Sequence, residues 1–387
     1  MFITHQRLSR QAAAAGGAVT LPALTRYFLG LGLSGFGGPA ALAARMQRDL
    51  VEERAWVSEG DYLDGLAFAQ LAPGPLAAQL AMYLGYTLRG LAGCTAAAAG
   101  IVLPSFAIVL ALAAAYRSYG GLPLVQALFY GIGPATIGIV AVSAARLALR
   151  TVKGDLLLAG MAAAAALLTT AMQREPMAVF VVAGIATAVL RGPRPRTLTT
   201  AAAVVPMALA LPAATGRLLL LTYFAKASLF VFGSGLAVVP FLYGGVVQEH
   251  HWLTDAQFVD AIAVAMITPG PVVITVAFIG YLVSGAPGAA AAAIGMFGPV
   301  YLMVVVFAPV FRRHSHNPRV RAFVAGVTSA AAGGIAGAAA VLAGRTIHDA
   351  FGVCAALAAI ALLARFRRLP EPLVIAAAAA AGLLFHA

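Results

Sequence analysis

Two triplets, Pro73-Gly74-Pro75 and Pro269-Gly270-Pro271, stand inside long apolar runs, 196 residues apart. Proline has no N–H, clashes with the preceding turn and pushes its predecessor out of the helical region. Two prolines around a glycine therefore interrupt a helix, and interrupted backbone survives in hydrocarbon only where protein or a cavity shelters it. Each helix that resumes, at Pro75 and at Pro271, opens with free N–H groups and roughly half a positive charge. That is chemistry for holding an anion with backbone alone. Two such ends facing each other could offset one unit of a dianion's charge without an arginine cage. The plainer reading is a pair of proline kinks with no ligand.

A second matched pair is Ser34-Gly35-Phe36-Gly37-Gly38-Pro39 and Val231-Phe232-Gly233-Ser234-Gly235. Consecutive glycines let backbone amides approach a ligand closely, and they equally let helices pack closely. Pro39 then opens an amphipathic helix through Arg45, Arg48, Asp49, Glu52 and Glu53. Lys226 lies inside an apolar span, where a charge is costly unless it is paired or faces a cavity. It is expected to supply a positive charge to the bound anion, the alternative being snorkelling to the surface. Arg26 lies nearer the start of its span, where snorkelling is the expectation. Gln79, Ser34, Ser234, Thr268 and Thr275 could donate hydrogen bonds to oxyanion oxygens. Asp64 and Asp260 stand nine residues before the two triplets. They read either as acids favoured near a helix N-terminus or as coupling or gating carboxylates. His250-His251 and His314-Ser315-His316 fall in expected loops without carboxylate or cysteine at ligand spacing, so no metal role is assigned. No nucleophile–base arrangement and no Walker loop is present, which argues against an enzyme and against ATP-driven work by this chain.

The elements that must position these residues are membrane helices. Of 387 residues, 62% are hydrophobic and 10% charged, with mean hydropathy +0.93; a soluble domain carries about a quarter charged residues. The alternation expected of an outer-membrane barrel is absent. A net charge of +12 would hint at nucleic acid in a soluble protein, but here the basic residues cluster in short loops, and no nucleic-acid partner is expected. Cys94 and Cys354 fall in alanine-rich apolar runs and read as packing residues. The first twenty residues are too weakly apolar for a signal-peptide core, so the first true span would act as the signal. Spans are expected at 22–40, 61–88, 92–115, 123–149, 154–172, 176–190, 198–215, 218–245, 255–283, 287–311, 320–343, 350–364 and 370–386. With the N-terminus inside, 16 of the 25 Lys and Arg fall at inner ends, 7 at outer ends and 2 within spans. Positive residues belong inside, so a cytoplasmic N-terminus and an outer C-terminus are expected.

The chain also repeats itself. At a shift of 196, Tyr27-Phe28 falls on Tyr223-Phe224, Trp56 on Trp252 and Asp64 on Asp260, together with the glycine motifs and the triplets. After the triplets one residue drops out and the shift becomes 195: Gly85-Tyr86 falls on Gly280-Tyr281, Gly100 on Gly295, Pro104 on Pro299 and Gly131 on Gly326. Residues 1–196 are thus expected to form one repeat, 197–217 a linker span and 218–387 a second repeat, each of about six spans. An offset of seven spans inverts the second relative to the first. Inverted repeats with interrupted helices at corresponding positions point to a secondary transporter's midplane site. The expected fold is an all-α polytopic membrane protein of two inverted repeats with Pro-Gly-Pro-broken helices. Fifteen residues from the cap at Ser58 or Thr254 to the break give about 22 Å of helix, somewhat past the middle of a core about 30 Å thick.

At these residues the sequence resembles the chromate ion transporter family in its long, two-domain form. The resemblance rests on Phe36-Gly37-Gly38-Pro39-Ala40-Ala41, Trp56-Val57-Ser58-Glu59, Gln70-Leu71-Ala72-Pro73-Gly74-Pro75, the run from Gln79 to Tyr86, and Leu103-Pro104-Ser105-Phe106. In the second half it rests on Trp252-Leu253-Thr254 and the run from Thr268 to Thr275. It implies export of chromate from the cytoplasm of a bacterial-type cell across the inner membrane, with sulfate as the look-alike dianion, and chromate resistance. It implies no cofactor, and it leaves a homodimer open. The family pattern has a lysine where Gly30 stands and a histidine where Leu42 stands, which leaves Lys226 as the main buried cation. Exit of a dianion from a negative interior is downhill by about 4.6 kcal/mol at 100 mV. Sulfate uptake or exchange is the competing transport reading. An anion channel and a membrane enzyme acting on a lipid phosphate are the alternatives of other classes.

Overall fold

The first apolar run turns back before it could cross a bilayer. In the computed structural model, which describes residues 19–36, 38–172, 177–191, 216–231, 235–311, 318–366 and 369–385, helix α1 (Leu21–Ser34) has only 14 residues. That is about 21 Å. Thr20 caps it, its hydroxyl oxygen accepting from Ala23 N–H. After Gly35 the chain enters α2 (Gly38–Gln47), prolonged by a wider turn over Arg48–Glu53, and returns along α1. The Tyr27 hydroxyl donates to Asp49 Oδ2 at 3.3 Å, and its ring lies 6.1 Å from that of Trp56.

The next pair of arms repeats the manoeuvre. Ser58 caps α3 (Glu59–Leu71), which ends at the first triplet, where Ala72 and Pro75 are extended and Gly74 has φ +141°. That region is open essentially to glycine alone. The start of α4 (Leu76–Tyr119) comes back along α3: the Phe68 and Tyr83 rings are 5.5 Å apart, and Tyr83 fills the space beside Gly65. At Arg89-Gly90 the backbone leaves helical geometry and reverses once more, so Gly85 lies against the carbonyl of Gly93. In one straight rod those residues would be about 12 Å apart. The first membrane-length segment is therefore 91–119, roughly 43 Å of helix. Residues 21–53 and 59–88 each form a hairpin of helical arms that turn back on each other, which corrects the expected spans at 22–40 and 61–88; hydropathy is equally high for an arm that crosses and an arm that returns.

The second half follows the same path. α8 (Gly216–Ser228) leads through a 3₁₀ turn (Gly235–Val238) into α9 (Val239–Tyr243) and a wide turn over Gly244–Glu249. Tyr223 stacks on Phe241 and meets Trp252 edge-on, both at 5.4 Å, closing this base as Tyr27 and Trp56 close the other. α10 (Asp255–Ile267) opens with a complete capping box between Thr254 and Gln257. It breaks at Thr268–Pro271, with Gly270 at φ +105°, before a 3₁₀ turn and α11 (Thr275–Phe311). Ser284-Gly285 inside α11 repeat the dihedrals of Arg89-Gly90, and Gly280 meets Gly288 as Gly85 meets Gly93.

Around these hairpins stand α5 (Pro123–Val152), α6 (Leu156–Met172), α7 (Met177–Arg191), α12 (Pro318–Thr346), α13 (Ala350–Arg365) and α14 (Glu371–Phe385). They pack across the halves. Ser329 donates to Leu158 O at 2.6 Å, Gly333 sits on Ala162 and Gly337 on Ala166, so α12 runs parallel to α6. Gly352 sits by Pro134 and Gly138 on Ala356, so α13 runs parallel to α5. Because α5 and α6 reverse through Lys153-Gly154-Asp155, where Lys153 and Gly154 have positive φ, α5 and α12 run in opposite directions. The matched glycines Gly131 and Gly326 each admit a backbone carbonyl from the other half, of Ala378 and Ala183.

Among the described residues the chain is helical throughout, without strands. Four helical stretches there, Leu76–Tyr119, Pro123–Val152, Val272–Ala308 and Pro318–Thr346, have the length and apolarity to cross a membrane, beside shorter apolar helices. The first and third are each divided by a reversal, where Gly85 meets Gly93 and where Gly280 meets Gly288. The expected linker span at 198–215 lies outside the described residues. Both cysteines are free; Cys94 is buried as expected, whereas Cys354 is exposed and not a packing residue.

Candidate functional site at the hairpin tips

The hairpin tips are bonded across the halves. Gly74 N–H donates to Val231 O at 2.7 Å, and Gly270 N–H donates to Gly35 O at 2.8 Å. Shifted by 196 residues, these are one bond made twice. The carbonyls just before them are occupied by side-chain donors from unrelated positions. Gln79 Nε2 donates to Pro73 O at 3.2 Å, and Ser105 Oγ, from the crossing part of α4, donates to Pro269 O at 2.7 Å. Those two acceptors are thereby occupied, while amide hydrogens just after each break are not. The N–H groups of Leu76, Ala77 and Ala78, and those of Val272 and Val273, meet no acceptor among the described residues. Both triplets are buried, with Val300 packed on Gly74 where Ser105 packs on Gly270.

The residues singled out by sequence divide into those gathered here and those that are not. Pro73, Gly74, Pro75, Gln79, Pro269, Gly270 and Pro271 belong to the tips, and Gly235 packs on Val272 and Val273 beside the second. Thr268 and Thr275 are buried at the same break, but their hydroxyl protons go to Val264 O and Val272 O, leaving lone pairs only. Ser34 is exposed, donates to Gly30 O and accepts from Arg45 Nη1 at 3.0 Å. Phe36 is exposed, and Gly38 and Pro39 are half-buried. Gly37, Phe232, Gly233 and Ser234 lie outside the described residues.

Lys226 is half-buried in the last turn of α8, with no ion pair among the described residues. The equivalent Gly30 has open space where a side chain would start. Arg26 is exposed. Asp64 is half-buried, whereas Asp260 is 8% exposed and accepts from the Tyr116 hydroxyl at 2.7 Å. Asp260 also borders a cavity of about 350 Å³ shared with Tyr130 and Asp349. A wider cleft of about 850 Å³ at the base of the second-half hairpins is lined by Arg345, Asp255, Glu249 and His251 among others. His250 stacks on Trp252 at 4.5 Å.

Sequence reasoning missed Ser105 and Arg45. Ser105 had a usable signal in its place beside the repeated Pro104. Arg45 was placed on a polar helix face, and only the fold of the hairpin carries it to the tip.

Paired re-entrant hairpins inside a shell of apolar helices, with helix N-termini turned to the centre, define the class: a polytopic helical membrane transporter rather than an enzyme. The chain belongs to the chromate transporter family. The family model described as "Chromate transporter" matches twice, over residues 22–189 and 218–383. The chain is 51% identical over 376 residues to the chromate transport protein of Cupriavidus metallidurans, covering 95% of this chain and 94% of that one. It is 49% identical to a probable chromate transport protein of Synechococcus elongatus, covering 95% and 96%. It is 31% identical to the chromate transport protein of Pseudomonas aeruginosa, covering 81% and 79%. No solved structure matches the chain.

Proposed function

We infer that this chain exports chromate from the cytoplasm across a bacterial inner membrane, as a secondary transporter built of two inverted halves, and that the oxyanion is held where the tips meet. The observation that carries the reading is the reciprocal pair of bonds, Gly74 to Val231 and Gly270 to Gly35. It joins each triplet to the opposite half's glycine hairpin and leaves amide hydrogens at both breaks. Opposed directions of α5 and α12 support the inversion.

The charge distribution supports the orientation. Reversal of the first hairpins brings Arg48 and Arg54 to the same end as Arg89, Arg150, Lys153, Arg191, Arg319, Arg321 and Arg365. Arg117, Arg217 and Arg345 are the described basic residues near the other end. The basic end faces the cytoplasm, which puts the N-terminus inside and the C-terminus outside. Each negative charge leaving a negative interior gains about 2.3 kcal/mol per 100 mV, so the membrane potential drives export without ATP. Asp260, buried on one hydroxyl partner beside a cavity, is the group suited to couple a proton to the cycle.

The test uses purified protein in liposomes loaded with labelled chromate or sulfate, with and without an imposed potential. Export predicts chromate release that accelerates when the inside is made negative. No flux of either anion under any potential would remove the reading.

A further inference from the structure

The two tip junctions follow one backbone plan, yet their side chains differ. At the Gly270–Gly35 junction the nearby Ser105 hydroxyl is bonded. At the Gly74–Val231 junction two fully buried polar atoms have no partner among the described residues: Gln79 Oε1 and, three residues before Val231, Ser228 Oγ. Unmade hydrogen bonds of this kind cost free energy and call for an explanation.

Ser228 is the more telling. A helical hydroxyl normally returns its proton to the carbonyl one turn back, as Ser34, Thr187 and Thr268 do here. Ser228 sits in the same position relative to Phe224 and does not. Gln79 is constrained differently. Pro73 O can only accept, so the amide must present Nε2 to it, and this fixes Oε1 as an acceptor beside Gly74. Lys226, half-buried and without an ion pair among the described residues, stands in the same last turn of α8, two residues before Ser228. The N–H groups of Leu76, Ala77 and Ala78, without an acceptor among the described residues, follow directly on Gly74 and Pro75 at this junction.

We propose that the Gly74–Val231 junction is a single, lopsided binding site for a tetrahedral oxyanion that still carries one proton, with Ser228 donating to a bare oxygen and Gln79 Oε1 accepting the ligand's O–H. This rests on the transport reading above and names the species it moves. Donors alone would suit chromate and sulfate equally. A fixed buried acceptor favours the anion that retains a hydrogen near neutral pH, which hydrogen chromate does and sulfate does not. The partial positive charge of the helix N-terminus at Leu76 offsets part of the remaining charge. The ligand then leaves with one negative charge, its proton travelling on it.

The experiment compares the unaltered protein with S228A, Q79L and T136V in chromate-loaded liposomes. Thr136 Oγ1 is the third buried polar atom without a partner among the described residues, in α5 rather than in a tip hairpin, and T136V is the control. S228A is expected to raise the half-saturating chromate concentration roughly tenfold or more, as for loss of a bond to a charged group, while T136V leaves it unchanged. Q79L is expected to let sulfate compete where it does not compete with the unaltered protein. The potential at which net chromate flux stops should correspond to one charge per chromate.

S228A with unchanged half-saturation, Q79L that still excludes sulfate, or two charges per chromate would each overturn the site while leaving chromate export standing. Absence of chromate flux in the unaltered protein would instead remove the reading beneath it.

Discussion

Lys226 is where a single substitution speaks most directly to the proposed cargo. A cation half-buried without an ion pair is destabilising unless something transient balances it, and on the present reading that something is the anion in passage. Lys226→Gln is expected to weaken apparent chromate affinity about tenfold, and Lys226→Arg to keep most of it. The readout is the concentration dependence of flux in liposomes; an unchanged K226Q would make Lys226 a snorkelling residue. Asp260 asks a different question. Its partner, the Tyr116 hydroxyl, is a donor that an amide oxygen could also satisfy, so Asp260→Asn should preserve the fold while removing the ability to carry a proton. The expected outcome is chromate release that still follows the membrane potential but no longer responds to an imposed proton gradient. A gradient response equal to that of the unaltered protein would return Asp260 to the plainer role of an acid near a helix start. Neither residue's weight could be read from spacing alone: Asp64 and Asp260 are exact matches in sequence, yet one is half-buried and the other nearly sealed beneath Tyr116.

At the scale of elements, the repeated glycines mark where backbones touch. Gly85 and Gly93, like Gly280 and Gly288, leave no room for a methyl group because each faces the other's carbonyl. A side chain there must force the arms of the turn apart. Gly85→Val and Gly280→Val are each expected to destabilise the protein by about 1–3 kcal/mol, whereas Gly30→Ala, in open space, should cost little. Thermal unfolding in detergent, followed by circular dichroism, would order the three; a G85V protein as stable as G30A would deny the tight reversal at Arg89-Gly90. The matched glycines and prolines were legible in the sequence because a missing Cβ or a missing N–H is a property of the residue. The direction the chain takes after them was not. An apolar arm of thirteen residues followed by another reads as one interrupted span, and nothing in hydropathy separates passing through from turning back. Likewise the hydroxyl of Ser105 was visible beside Pro104, but its target, Pro269 O, lies 164 residues away and is fixed only by how the halves interlock.

For the whole molecule the decisive property is the sense of the two halves. Helices α5 and α13 are parallel, α6 and α12 are parallel, and α5 reverses into α6 through three residues. From these relations α5 and α12, counterparts 195 residues apart, point opposite ways, and on the inverted reading proposed above the bases of the first and second hairpin pairs lie at opposite membrane faces. Lys153, in the α5–α6 turn, and Glu249, at the base of the second-half hairpins, are both exposed. They should therefore be reached from opposite sides. In a background with Cys354 replaced by serine, so that the exposed native thiol is gone, a cysteine at 249 should react with a membrane-impermeant maleimide added to intact cells. A cysteine at 153 should react only after permeabilisation. The opposite pattern would keep the inversion but reverse the orientation argued from the basic end. Labelling of both positions from one side would mean that the halves point the same way, and the inverted architecture on which the export reading is built would fall.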